Sequence, residues 1–146
     1  MQTADHVLIP LLTGSFALAQ VARIEGDRLL LYLTGTQTPR SATPIPLIDA
    51  QIIAALCLDV AMLPTDHWSV IGYEAVPRIA PFYDKPLIFS DPVDPAILEA
   101  FANAIHGLYP WDGFPDAALF TYMLRTPSVL PTGARMTADF PKPESP

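Results

Sequence analysis

Cysteine, charge and long apolar runs are all scarce in this chain. Cys57 is the single cysteine among 146 residues, so no internal disulfide can form. Charged residues make up 16% of the sequence and hydrophobic residues 51%, which is the reverse of the composition of a disordered chain. The richest apolar stretch, 52–62, contains Asp59 and is shorter than the roughly 20 residues that span a bilayer. We therefore expect a folded cytoplasmic domain that does not enter a membrane.

Basic residues are also few. Eight lysines and arginines stand against fifteen acidic residues, which gives a formal net charge of -7. This charge would repel phosphate backbones and anionic membranes, so nucleic acid is not an expected partner. An acidic surface favours fast encounter with basic proteins, although the same charge also keeps a protein soluble.

The patterns that usually carry chemistry are missing. Histidine stands beside a carboxylate only at 5–6 and 66–67, and the seven glycines are scattered singly. No metal and no cofactor are therefore expected. Cys57, His67 and Asp66 are the residue types of a catalytic triad, in which they would act as nucleophile, base and orienting group. The apolar neighbours of Cys57 favour a buried thiol with a raised pKa instead, so we predict that the protein is not an enzyme.

Three consecutive strands are predicted at the N-terminus, at residues 7–9, 15–24 and 28–33. Gly14 and Gly26 lie in the short connections between them, and glycine at such a position is typical of a tight antiparallel hairpin. The second strand is fairly apolar on both faces. It should therefore lie inside a barrel-like sheet or under a covering helix.

The middle of the chain is less clear. Residues 34–46 hold several prolines and predict a loop. Residues 47–62 are compatible with a buried strand or with a helix that begins at Asp49, and periodicity does not separate the two. Residues 68–73 are aromatic and β-branched, so we expect a strand that closes the sheet.

Helices are predicted after the strands. Asp94 is a natural N-cap and Pro95 a suitable first residue of a helix that ends near Gly107. His106 would suit the carboxyl end of this helix as a cation. A second, shorter helix is predicted at 116–124.

The sequence thus predicts one α+β domain over 1–146, with a small antiparallel, barrel-like sheet covered by one or two C-terminal helices. Residues 1–80 should be mainly β, 81–126 mainly helical, and 127–146 coil and tail.

Several acids and one tryptophan are candidates for binding a partner. Helix capping and turns explain the paired aspartates by themselves, whereas the crowded segment 109–116 is either a contact surface or a loop that plugs the end of the barrel. The candidate residues are Asp84, Asp91, Asp94, Trp111, Asp112 and Asp116.

Short motifs in this sequence resemble the immunity protein 26 family of bacterial polymorphic toxin systems. The opening 7–11 and 14–21 is similar to the family's "IPL, glycine, aromatic, GQV or GRV" pattern, and 68–72 to its "W, x, V, I, G" strand. Residues 110–112, 115–116 and Leu124 are similar to its closing "PWD, PD, LL" stretch. The motifs occur in the family's order over residues 7–125, although Ala19 stands where the family often has glycine.

The resemblance implies an antagonist that binds a toxin domain stoichiometrically and without turnover, and a basic toxin would suit the acidic surface. It transfers no catalytic residue. The alternatives are a small barrel-like regulatory or accessory domain, and an enzyme that uses Cys57 or His67. Neither the oligomeric state nor the toxin's activity follows from the sequence.

Overall fold

The structure is a computed structural model that describes residues 1–141. The last five residues of the predicted tail, 142–146, lie outside the described residues. The regular elements are the strands β1 (Asp5–Pro10), β2 (Phe16–Glu25), β3 (Arg28–Thr38), β4 (Ile52–Asp59) and β5 (Ser69–Tyr73) and the helices α1 (Pro95–Ile105) and α2 (Leu119–Met123).

The five strands form one antiparallel sheet in the order β4-β3-β2-β1-β5. The prediction of an α+β fold with a small antiparallel sheet is confirmed. Gly14 and Gly26 occupy the two hairpin turns with φ of 86° and 60°, which is the left-handed region that glycine enters without a steric cost. The glycines that predicted the hairpins are therefore the residues that allow the turns.

The ambiguous segment 47–62 contains a strand. Ile52–Asp59 pairs with β3, and a single 3-10 turn lies at each end of it. The predicted loop at 34–46 begins later than expected, because β3 continues to Thr38. The first prolines of that loop are Pro39 and Pro44, so the backbone donors that the ladder needs are still present through residue 38.

β5 is hydrogen-bonded to β1 and forms an edge of the sheet. Within residues 1–141 the ladder has two ends, β4 and β5, so β5 extends the sheet instead of joining it into a closed ring. Trp68, predicted to begin the strand, lies just before it and is buried.

Both faces of the sheet are covered, as the apolar character of the second strand predicts. On one face the odd-numbered residues of β2 pack with α1 and α2. On the other face the even-numbered residues pack with the segments that follow β3 and β5. The first core includes Ala17, Val21, Leu31, Leu98, Phe101, Trp111 and Phe120, and the second includes Phe16, Leu18, Leu30, Tyr32, Leu47, Ile79 and Leu87.

The helices are shorter than predicted. α1 begins as expected, because the Asp94 carboxylate accepts a hydrogen bond of 2.8 Å from the Ala96 N–H and Pro95 is the first residue. α2 covers only Leu119–Met123 of the predicted 116–124. The rest of 81–126 is turns, coil and one 3-10 turn at Leu87–Phe89, so this part is not mainly helical. Its prolines remove the donors that longer helices would need.

Candidate functional site

Three of the six partner-binding candidates accept hydrogen bonds that stabilise the local structure. Asp94 caps α1, and the Asp116 carboxylate accepts a hydrogen bond of 3.0 Å from the Ala118 N–H. Asp112 accepts hydrogen bonds from the backbone N–H and the hydroxyl of Thr137, at 2.6 and 2.7 Å. These two bonds hold the pKa of the Asp112 carboxyl below its usual range. The capping interpretation is therefore confirmed for Asp94, whereas Asp116 stabilises the turn before α2, whose N-cap Ala118 makes no side-chain capping bond.

Trp111 is a core residue. Its side chain is only 2% exposed, and its indole N–H donates to the Thr121 hydroxyl at 3.0 Å. Its ring lies 5.8 Å from that of Phe101 and 5.6 Å from that of Phe120. The prediction of an exposed aromatic anchor at Trp111 is corrected by this burial, since the ring stabilises the packing of α1 and α2. The buried Trp111 fits neither an exposed contact surface nor a loop at the end of a barrel, because it belongs to the first core.

The candidates do not form one surface. Asp94 lies at the beginning of α1, whereas Asp112 and Asp116 follow its end, and the 11 residues of α1 make it about 16 Å long. Asp84 and Asp91 lie on the segment that leads to Asp94, and both are exposed. The acids therefore divide into a group at 84–94 and a group at 112–116.

The segment that carries the first group is fixed against the second core. Leu87 is buried, and its N–H donates to the Glu25 carboxylate at 3.4 Å. The guanidinium of Arg23 donates to the carbonyl oxygen of Lys85. Further on, the N–H of Val93 donates to the carbonyl of Cys57 in β4 at 2.8 Å. Residues 85–93 thus have a defined position beside the β2–β3 hairpin and the β4 edge.

Ile88 and Phe89 point away from this attachment. Their side chains are 71% and 85% exposed, although they follow the buried Leu87 directly. The prolines of this region predict turns, and the exposed pair was not predicted. The pattern that could have identified them is the presence of two large apolar residues in a short turn between Pro86 and Pro92. We call residues 86–92 the exposed apolar turn.

A cleft of about 220 Å³ lies between this turn and β4. Its lining combines apolar side chains with the polar residues Lys85, Ser90 and Asp91. The lining includes Leu56, Cys57, Phe82, Lys85, Leu87 and Asp91.

A second cavity, of about 630 Å³, lies on the other face of the sheet. Its walls come from the end of β3, the beginning of β4, the end of α1 and residues 124–133. Arg125 is in this wall and is tied to β4, since it forms an ion pair with Asp49 and its guanidinium donates to the Ile52 carbonyl at 3.1 Å.

Cys57 and His67 belong to different parts of the molecule. Cys57 is 8% exposed in the second core, where burial raises the pKa of its thiol. His67 is largely exposed and lies 3.2 Å from the Glu99 carboxylate of α1, which packs on the opposite face. The sheet separates the two residues that the enzyme alternative would need to bring together.

Two other histidines are partly or fully buried. His6 on β1 is not exposed at all, and burial lowers the pKa of its imidazole, while the negative charge of Glu74 acts in the opposite direction. Burial also lowers the pKa of His106 beyond the end of α1. Desolvation at this site therefore acts against the cationic form that would suit the end of the helix.

Groups of three or more metal-binding side chains are not found among residues 1–141. In the same part of the chain, no helix has the length and apolar character needed to cross a membrane. Comparisons of the chain with protein-family models, with curated proteins and with solved structures gave no match.

Proposed function

We propose that this chain is a non-catalytic binding protein, an immunity protein that neutralises a bacterial toxin domain by direct stoichiometric binding in the cytoplasm. The observation that carries the proposal is the row of exposed carboxylates Asp84, Asp91 and Asp94 on a segment that is fixed to the sheet. With a net charge of -7, this surface suits a basic protein partner. A charged surface with a fixed conformation also favours binding, because little conformational entropy is lost when the partner associates.

The placement of the motif residues also supports the proposal. The opening motif lies on β1 and β2, and the "W, x, V, I, G" motif lies at β5. β1 and β5 pair directly, with Val7 opposite Val70. Motifs that are about 60 positions apart in the sequence therefore form one structural unit, as expected if they specify a shared fold.

The test is coexpression with the toxin domain encoded beside the gene. We expect the wild-type protein to restore growth and to form a 1:1 complex in size-exclusion chromatography. The complex should weaken as salt is raised, because ions screen the attraction between exposed charges. A toxin-free gene neighbourhood would favour the accessory-domain alternative, and failure to bind or rescue against every neighbouring toxin would contradict the proposal.

Charge variants sharpen the test. Asp84→Lys and Asp91→Lys reverse exposed charges, while Asp94→Asn removes a charge and keeps a residue that caps helices well. We expect slower association for these variants. The matched control is Asp66→Lys, a reversal at an exposed aspartate on the connection that leads to β5. An equal loss for the control would mean that only total charge matters.

A further inference from the structure

Phe89 has the most exposed large apolar side chain among residues 1–141, at 85%. The next most exposed aromatic residues are Tyr73 and Tyr122, whose hydroxyl groups water can solvate. Phe89 has no polar group, and Ile88 beside it is 71% exposed. Pro86 and Pro92 are exposed as well, so several exposed apolar residues lie close together in this turn and Phe89 is not a single scattered side chain.

The turn is presented rigidly. Leu87 packs in the second core, and the Glu25 carboxylate and the Arg23 guanidinium hold the backbone at Leu87 and Lys85. The Val93 N–H holds the backbone after the turn by donating to the Cys57 carbonyl. An aromatic residue on a fixed backbone loses little conformational freedom when a partner covers it. This is the property of the few residues that dominate binding energy in protein interfaces.

The charges around the turn determine the chemistry of the partner. Arg23 is paired with Glu25 at 2.9 Å, and Arg28 lies 3.6 Å from Asp27 and 3.5 Å from Asp59. The exposed charged groups at 84–94 are Asp84, Asp91 and Asp94 against Lys85, and the exposed Arg78 guanidinium lies over the Tyr83 ring just before them. The rim of the apolar surface is therefore acidic.

The adjoining cleft could accept a side chain of the partner. Its volume of about 220 Å³ is lined by Phe82, Leu87 and Cys57, and Asp91 and Lys85 also line it. The surface thus offers a projecting aromatic side chain, a small recess of mixed polarity beside it and exposed acidic groups on the same segment.

We propose that the exposed apolar turn is the docking site for the toxin partner, and that Phe89 inserts into an apolar pocket rimmed by lysine and arginine on that partner. A basic protein is favoured over a second copy of this chain, because a second copy would bring its own acidic rim against this one. The inference rests on the proposed function, since it identifies the surface and the partner chemistry of the same interaction.

The experiment measures the affinity of the neighbouring toxin domain, in a catalytically inactive form, by titration calorimetry. Phe89→Ala should weaken binding by about 30-fold or more, as for a dominant interface residue, and Ile88→Ala by a smaller factor. The matched control is Tyr122→Ala on α2, a 75% exposed aromatic residue on the opposite face of the sheet, which should bind within about twofold of the wild type. Circular dichroism would establish that each variant is folded.

The outcomes separate this inference from the proposed function. If the toxin domain binds the wild type while Phe89→Ala and Ile88→Ala bind equally well, the docking site is wrong and the proposed function stands. If no toxin domain binds the wild type, the proposed function fails and this inference fails with it. If the wild type forms dimers in sedimentation equilibrium that Phe89→Ala abolishes, the occupant is a second copy and the inference is overturned.

Discussion

His6 on β1 lies directly opposite Gln20 on β2, and neither side chain is exposed to solvent. The Gln20 amide donates to the carbonyl oxygens of Glu74 at 2.8 Å and Ala4 at 3.2 Å. Both ring nitrogens of His6 are buried and have no hydrogen-bond partner among the described residues. A charged imidazole at this position would have no direct counterion, so the folded protein favours the neutral form.

Acidification should therefore destabilise the fold through His6. Its pKa is lowered from 6.5 by burial, so the unfolded chain takes up a proton at a higher pH than the folded one. The contribution of His6 to the free energy of unfolding is complete above about pH 6.5, and it is lost as the pH falls towards the pKa of His6 in the folded protein. Urea unfolding at pH 7.5 and 5.0 should show that His6→Gln loses less unfolding free energy than the wild type between these two pH values.

His106 gives an internal comparison for this prediction. Its pKa is lowered in the same direction, so His106→Gln should remove part of the same acid loss. The double variant should lose the least unfolding free energy between pH 7.5 and 5.0. An unchanged pH dependence in both single variants would show that carboxyl groups dominate the acid response.

Removal of the α1 cap should have a measurable cost. Asp94→Ala leaves the Ala96 N–H without the carboxylate that accepts its hydrogen bond, and loss of such a cap costs about 1 kcal/mol of unfolding free energy. Urea unfolding measures the difference. Asp91→Ala, an exposed aspartate close to it in the chain, is the control and should remain within about 0.5 kcal/mol of the wild type.

Truncation of Trp111 should affect stability strongly. Trp111→Ala removes a buried ring that packs on Phe101 and Phe120, and large-to-small changes of this kind cost about 3–5 kcal/mol. Trp111→Phe keeps most of the packing but loses the hydrogen bond to Thr121, so its cost should be smaller. If Trp111→Ala unfolds at the wild-type urea concentration, the ring does not support the core.

Cys57 should react slowly with a thiol reagent in the folded protein. Its side chain is 8% exposed and burial raises the pKa of the thiol, so little thiolate is available near neutral pH. Absorbance assays with a disulfide reagent should show slow reaction in buffer and fast reaction in denaturant. A cysteine placed at exposed Ser41, in a Cys57→Ala background, should react quickly under both conditions.

The elements that could be predicted from the sequence are those with local causes. Gly14 and Gly26 specify the hairpins by allowing positive φ, and Asp94 with Pro95 specifies the beginning of α1. β4 could not be separated from a helix, because it is apolar at almost every position and alternation is lost. Its conformation is decided by pairing with β3, which periodicity does not reveal.

The candidate site was predicted only in part, for a similar reason. Asp84 and Asp91 are exposed as expected, but the exposure of an aromatic residue depends on contacts that are distant in the sequence. Trp111 is covered by α1 and α2, whereas Phe89 remains uncovered because Leu87 takes the inward position of its turn. The two residues are similar in local composition, and only the tertiary structure separates them.

The attachments of the exposed apolar turn come from residues remote in the chain. Leu87 and Glu25 are separated by 62 positions, and Lys85 and Arg23 by the same distance. The conformation of the turn thus depends on contacts that form only when the sheet has formed. If the turn is the docking site proposed above, a synthetic peptide with this stretch alone would be a poor mimic, and mutations that unfold the β2–β3 hairpin would weaken binding although they lie outside the turn.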